Sequence, residues 1–80
     1  MKPFTVVMGV RPVKLFGKYK SSGPVYVYGT DKDEAVERAR RVLEMELWDC
    51  AKEPDSVKEG WPRNVSQATL GKIERNNHER

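Results

Sequence analysis

Apolar side chains at Phe4, Val6, Met8 and Val10 alternate with Thr5, Val7 and Gly9, the period of two that turns one face of a strand toward a core. Pro12 interrupts the run, and its missing N–H suits an edge or a bulge. The segment Val13 to Lys20 can prolong this strand beyond a kink. Ser21-Ser22-Gly23-Pro24 reads as the turn of a long hairpin, which makes Val25 to Tyr28 the return strand. Gly29-Thr30-Asp31 then leads into an amphipathic helix. Thr30 or Asp31 can cap its first turn, with Asp33 or Glu34 three residues further on at the capping-box spacing. Ala35, Val36, Ala39, Val42, Leu43, Leu47 and Cys50 recur at three and four residues and share one stripe. Glu34 with Arg38, and Glu37 with Arg41, pair at i,i+4 on the opposite face.

Pro54 is expected to stop the helix near Lys52, because a residue before proline is pushed out of the α region. Lys52 to Asn64 carries Pro54, Gly60 and Pro62 and no period. It reads as a loop from which Trp61 folds back onto the core. Val65 to Arg75 is ambiguous. As a strand, Thr69 to Glu74 returns beside the first strand; as a helix, Ser66 caps and Leu70 and Ile73 share a face. The fold class expected is α+β, an antiparallel sheet of about three strands in ββαβ order packed on one long helix. Residues 1–75 are expected to form a single domain and residues 76–80 a disordered tail.

Charge changes this picture more than overall composition does. The 80 residues carry a net charge of +3, unevenly divided. Before Asp31 stand five bases (Lys2, Arg11, Lys14, Lys18, Lys20) and no acid; Asp31 to Glu59 holds six bases and ten acids. A basic hairpin suits an anionic partner, and it suits equally a plain solvated loop. Cys50 is the single cysteine and His78 the single histidine, too few for a disulfide or a metal tetrahedron. No metal and no cofactor is expected. The first residues lack the apolar core of a signal peptide, and no run approaches the ~18 apolar residues of a membrane span. A cytoplasmic location without a membrane partner is the expectation.

The order strand, hairpin, strand, then Gly29-Thr30-Asp31-Lys32-Asp33-Glu34-Ala35-Val36 opening a helix resembles the small ββαβ proteins that phages make early in infection. Among these are the RNA-polymerase inhibitor of short-tailed coliphages and some anti-CRISPR proteins. The likeness covers Phe4 to about Trp48, with a last strand at Val65 to Arg75 if that segment is one. Archaeal large-subunit ribosomal proteins and one family of antitoxins share the same acid-rich helix start, since the capping chemistry is common to them. The resemblance implies a fold that acts by docking onto a protein or a nucleic acid. Val65 to Asn76 resembles the recognition helix of Cro-type helix-turn-helix repressors, with Ser66 to Thr69 facing bases and Leu70 and Ile73 packed inward. That family needs a helix immediately before this one, whereas Gly60-Trp61-Pro62 precedes it here.

Residues suited to chemistry are scarce. His78 lies in the expected tail, and Cys50 falls beside the helix stripe as a small buried hydrophobe. Asp31, Asp33 and Glu34 are explained by capping. Aromatic residues offer more. If Val25 and Val27 face the core, Tyr26 and Tyr28 stand on the outer sheet face. There they would join Lys14, Lys18, Tyr19 and Lys20, with Trp61 and Arg63 in the following loop, as an aromatic and basic binding surface. An ordinary amphipathic sheet would show the same alternation. Trp48 is expected at the core edge. The function these residues suggest is non-enzymatic: docking onto a host protein or nucleoprotein complex and modulating it, with DNA or RNA binding as the alternative.

Overall fold

A computed structural model of the protein describes residues 1–14 and 16–63. It contains strand β1 (Lys2–Pro12), strand β2 (Lys20–Gly29), helix α1 (Lys32–Met45) and strand β3 (Trp48–Glu59). The three strands form one antiparallel sheet in the order β2-β1-β3, with β1 central. The α+β class and the ββαβ order are therefore those the pattern predicts. The third strand is not the expected one. It follows the helix directly, within residues read as a continuation of the helix and a loop, while Val65 to Arg75 lies outside the described residues together with the tail.

Two local causes shorten the helix. At its start the sequence is obeyed, since Asp31 accepts a hydrogen bond from the Glu34 N–H (2.8 Å) and Glu34 accepts one from the Thr30 N–H (3.1 Å). Glu34 also pairs with Arg38 at 3.4 Å, as its spacing predicts, whereas Glu37 approaches Arg40 rather than Arg41. At the other end the last turn tightens, with Glu46 N–H donating to the Leu43 carbonyl and Leu47 N–H to that of Glu44, the i→i−3 bonds of a 3₁₀ turn. Leu47 then takes a left-handed conformation (φ 67°) and reverses the chain. The stripe consequently stops at Leu43. Leu47 is 74% exposed and Cys50 lies on β3.

Pro54 sits inside β3 rather than beyond a helix. β3 is an edge strand, and its pairing with β1 shifts between Val7 and Met8 and again between Met8 and Val10. Edges and bulges are where a strand tolerates a residue without an N–H. The hairpin turn is displaced for a related reason. Residues 21–24 belong to β2 and form a bulge, where Gly23 (φ 72°) supplies the left-handed step and the Met8 N–H donates to the Ser22 hydroxyl instead of to a backbone carbonyl. The hairpin connection is residues 13–19.

Phe4, Val6, Met8 and Val10 of β1, Val27 of β2, and Ala35, Ala39 and Leu43 of α1 form the buried core. Val25, Val36, Trp48, Cys50 and Val57 pack around it. Trp48 thus takes the core-edge place expected of it. The two alanines bring the helix axis close to the sheet. Arg40 fastens α1 to β3 by donating to the carbonyls of Ala51 (3.1 Å) and Lys52 (2.9 Å). All of this lies on one face of the sheet, so the helix leaves the other face without a covering element among the described residues.

Candidate docking surfaces

That second face carries the odd-numbered residues at the start of β1 and their partners. Pro3 pairs with Tyr28, Thr5 with Tyr26 on one side and Lys58 on the other, and Val7 with Pro24 and Ser56. Because Val27 is buried against the helix, Tyr26 and Tyr28 point outward, as the alternation requires. The chain leaving β3 then crosses the start of β1. Gly60 N–H donates to the Pro3 carbonyl (2.8 Å), and the Thr5 hydroxyl donates to the Gly60 carbonyl (2.6 Å). Gly60 has φ 104°, well outside the basin open to side-chain-bearing residues, so a glycine is needed to steer the next residue. The indole of Trp61 donates to the Phe4 carbonyl (3.0 Å) and meets the Tyr28 ring edge-on, centroids 4.6 Å apart. Trp61 therefore folds back as expected, but onto the outer face of the sheet instead of the core. Val7, Tyr26, Tyr28 and Trp61 are all half-buried, a preformed aromatic platform held by its own hydrogen bonds.

The other expected binding residues collect elsewhere. Tyr19 lies at the far end of the outer face, where its Cβ would crowd any Cβ added at Gly9 (3.2 Å). It is 42% exposed and carries the Arg11 guanidinium over its ring at 4.5 Å. Arg11 is itself held by Asp49 (2.7 Å) and by the Gly17 carbonyl (3.2 Å). The Asp49 carboxylate keeps the Arg11 guanidinium even more firmly protonated than usual. Lys20 pairs with the core residue Val10 and so emerges on the helix side. Lys14 and Lys18 are exposed in the connection, beside Val13 (59% exposed) and Phe16 (99% exposed). No ion pair engages Lys14, Lys18 or Lys20 among the described residues.

The single aromatic and basic surface expected from the sequence is thus two surfaces. Lys20 and Tyr26 stand six positions apart along β2, at most about 20 Å at ~3.3 Å per residue. The platform has Lys58 as its nearest strand-borne cation, with Arg63 two residues beyond Trp61. Sequence reasoning had no means of finding the β3 residues at either surface, because their segment reads as helix and loop; the alternation Trp48, Cys50 was the only hint.

For chemistry, the Cys50 thiol is the nucleophilic candidate in the described residues. Burial pushes its pKa up, with the nearby Arg40 cation opposing and Glu44 and Asp49 reinforcing the shift, the reverse of what activates a thiol. No group of three or more His, Cys, Asp or Glu side chains is placed to hold a metal ion, and no helix is long and apolar enough to cross a membrane, among the described residues. The fold and its surfaces define a small ββαβ domain of the α+β class. The chain matches no protein-family model, no curated protein and no solved structure.

Proposed function

We propose that this is a small non-enzymatic binding protein that docks through its outer sheet face onto a larger protein assembly and modulates it. The observation that carries the reading is the platform of Val7, Tyr26, Tyr28 and Trp61, half-exposed, with the Trp61 indole hydrogen-bonded in place against Tyr28, on a face the helix leaves open. Aromatic residues fixed in a polar rim, here Thr5, Ser56 and Lys58, are the composition of a protein interface core. A nucleic-acid platform would set its lysines among the stacking rings. Here Lys58 is the one strand-borne lysine beside the rings, and Lys14, Lys18 and Lys20 lie at the other end of the sheet, which favours protein as the partner. A phage or mobile-element origin and a host-cytoplasmic site of action accord with the resemblance to early phage proteins.

Affinity capture from bacterial lysate, run in parallel with the protein and its Tyr26→Ala and Lys58→Glu variants, tests the reading. A specific partner retained by the unmodified protein and lost by both folded variants is the expected result. The second reading, DNA or RNA binding, rests on Lys14, Lys18 and Lys20. Fluorescence anisotropy with oligonucleotides at two salt concentrations distinguishes it: binding that falls steeply with salt and survives Tyr26→Ala would replace the protein-docking proposal.

A further inference from the structure

The hairpin end holds a second feature, independent of the platform. A cavity of about 400 Å³ opens there, between the ends of β1 and β2 and the start of β3. Its volume falls in the ~300–1,000 Å³ range of small-ligand sites. Val10, Pro12 and Trp48 supply apolar wall, and Phe16 stands at the mouth with its ring in solvent. Lys18 and Lys20, exposed and without ion-pair partners among the described residues, also line it. The third lining cation, Arg11, is already engaged by Asp49. Among the described residues, no carboxylate lines the cavity. On its other side Trp48 borders a second concavity that does carry acids, Glu44 and Asp49. The indole therefore divides a cationic hollow from an anionic one, and charge discriminates between them.

We infer that the cationic cavity is a site for an amphipathic monoanion, an apolar chain or ring system bearing a carboxylate. The hydrocarbon part lies against Val10, Pro12, Trp48 and Phe16. Its carboxylate meets the Lys18 and Lys20 ammonium groups, whose aliphatic stems extend the apolar wall while their heads stay in water. The apolar contacts supply most of the affinity and the lysines select for charge.

The probe is 1-anilinonaphthalene-8-sulfonate, an apolar anion whose fluorescence rises on burial. Decanoate is expected to displace it, and decanol to do so roughly fivefold less well, since two surface charge contacts contribute about 1 kcal/mol in all. Lys18→Glu combined with Lys20→Glu should erase the preference for decanoate, and Lys14→Glu, outside the cavity, should leave it intact. Phe16→Ser removes a side chain that packs on nothing, so the fold is not at stake; it should weaken probe and decanoate alike, by roughly threefold or more. Tyr26→Ala should change neither, which separates this site from the platform. Equal displacement by decanol and decanoate overturns the inference, as does a lysine double variant, folded by circular dichroism, that keeps the preference. Binding confined to phosphatidylglycerol vesicles, without displacement by soluble decanoate, overturns it in favour of a membrane surface.

Discussion

Gly29 closes β2 where the chain turns into the helix, and the cost of giving it a side chain can be worked out from its surroundings. A Cβ at this position would lie 2.9 Å from the Ala35 nitrogen, 3.1 Å from the Asp31 carbonyl oxygen and 3.2 Å from the Ala35 Cα. All three are backbone atoms of the capped first turn, so no side chain can swing aside; the helix must move off the sheet. Ala35 and Ala39 are fully buried in that contact, and moving them opens the seam they close. Overpacking of this kind costs about 1–3 kcal/mol, and a backbone wall puts Gly29→Ala in the upper part, roughly 2–3 kcal/mol. Removing glycine's freedom from the unfolded chain returns roughly 0.4–1 kcal/mol. The net loss is about 1–2.5 kcal/mol, out of a total of roughly 4–12 kcal/mol expected for a domain this size. Gly29 has no left-handed φ, so no backbone strain adds to the steric cost. Urea unfolding followed by circular dichroism should show a lower midpoint with an unchanged slope, and thermal melting a drop of roughly 4–20 °C. Gly17→Ala is the control, because nothing lies within 4 Å of its Cβ. A Gly29→Ala protein as stable as the Gly17→Ala protein would show that the helix does not sit this close to the sheet.

Leu47→Gly should stabilise the domain. A leucine in the left-handed region costs about 1–2 kcal/mol and glycine's extra freedom when unfolded roughly 0.5–1, which leaves a gain of about 0–1.5 kcal/mol in urea unfolding; a loss would mean the exposed leucine makes contacts that matter. Arg40→Ala removes the clasp on the Ala51 and Lys52 carbonyls. It should cost about 1–2 kcal/mol, and Arg40→Lys should recover only part of this because one ammonium cannot reproduce the fork; full recovery by lysine would refute the two-carbonyl geometry. For Cys50, the native pKa stands above its ordinary value of 9.0 because burial disfavours the thiolate. The unfolded chain thus loses its proton first, and the contribution to stability is complete below pH 9 and declines as pH rises through the native pKa. Iodoacetamide rates against pH should show a later inflection in the native protein than in urea, and coincident curves would contradict the burial.

Part of this was legible in the sequence and part was not, for identifiable reasons. β1 declares itself by alternation, and the helix start by Asp31 and Glu34, whose side chains and backbone partners are local and so are written within four residues. The helix end is misread because Leu47 and Cys50 continue the three-and-four spacing past Met45. What ends the helix is a left-handed leucine, a residue that carries no terminating signal of its own. Pro54 compounds the error. It is a helix breaker by its chemistry, but β3 needs only that it occupy an irregular position at the sheet edge, and whether a strand will be an edge is a property of the whole topology. The same holds for Trp61. Its size announces that it must be covered, yet the Phe4 carbonyl and the Tyr28 ring that receive it lie more than thirty residues away in the chain.

The separation of the two surfaces follows from how the strands are paired. A regular hairpin turning at residues 21–24 would have set Tyr19 opposite Tyr26 and brought the Lys18 to Lys20 segment alongside the platform. The Ser22-Gly23 bulge instead keeps those residues within β2 and carries the turn to its far end. The Val10–Lys20 pairing then puts Lys20 on the helix side, and Arg11, whose guanidinium lies over the Tyr19 ring, is neutralised by Asp49 from β3. The hairpin lysines are thereby separated from the platform, beside which Lys58 stands. Added salt should weaken whatever binds at the hairpin lysines more than it weakens binding at the Tyr26 and Trp61 platform, where Lys58 is the nearest strand-borne cation, and a ligand that needs both surfaces must span up to about 20 Å.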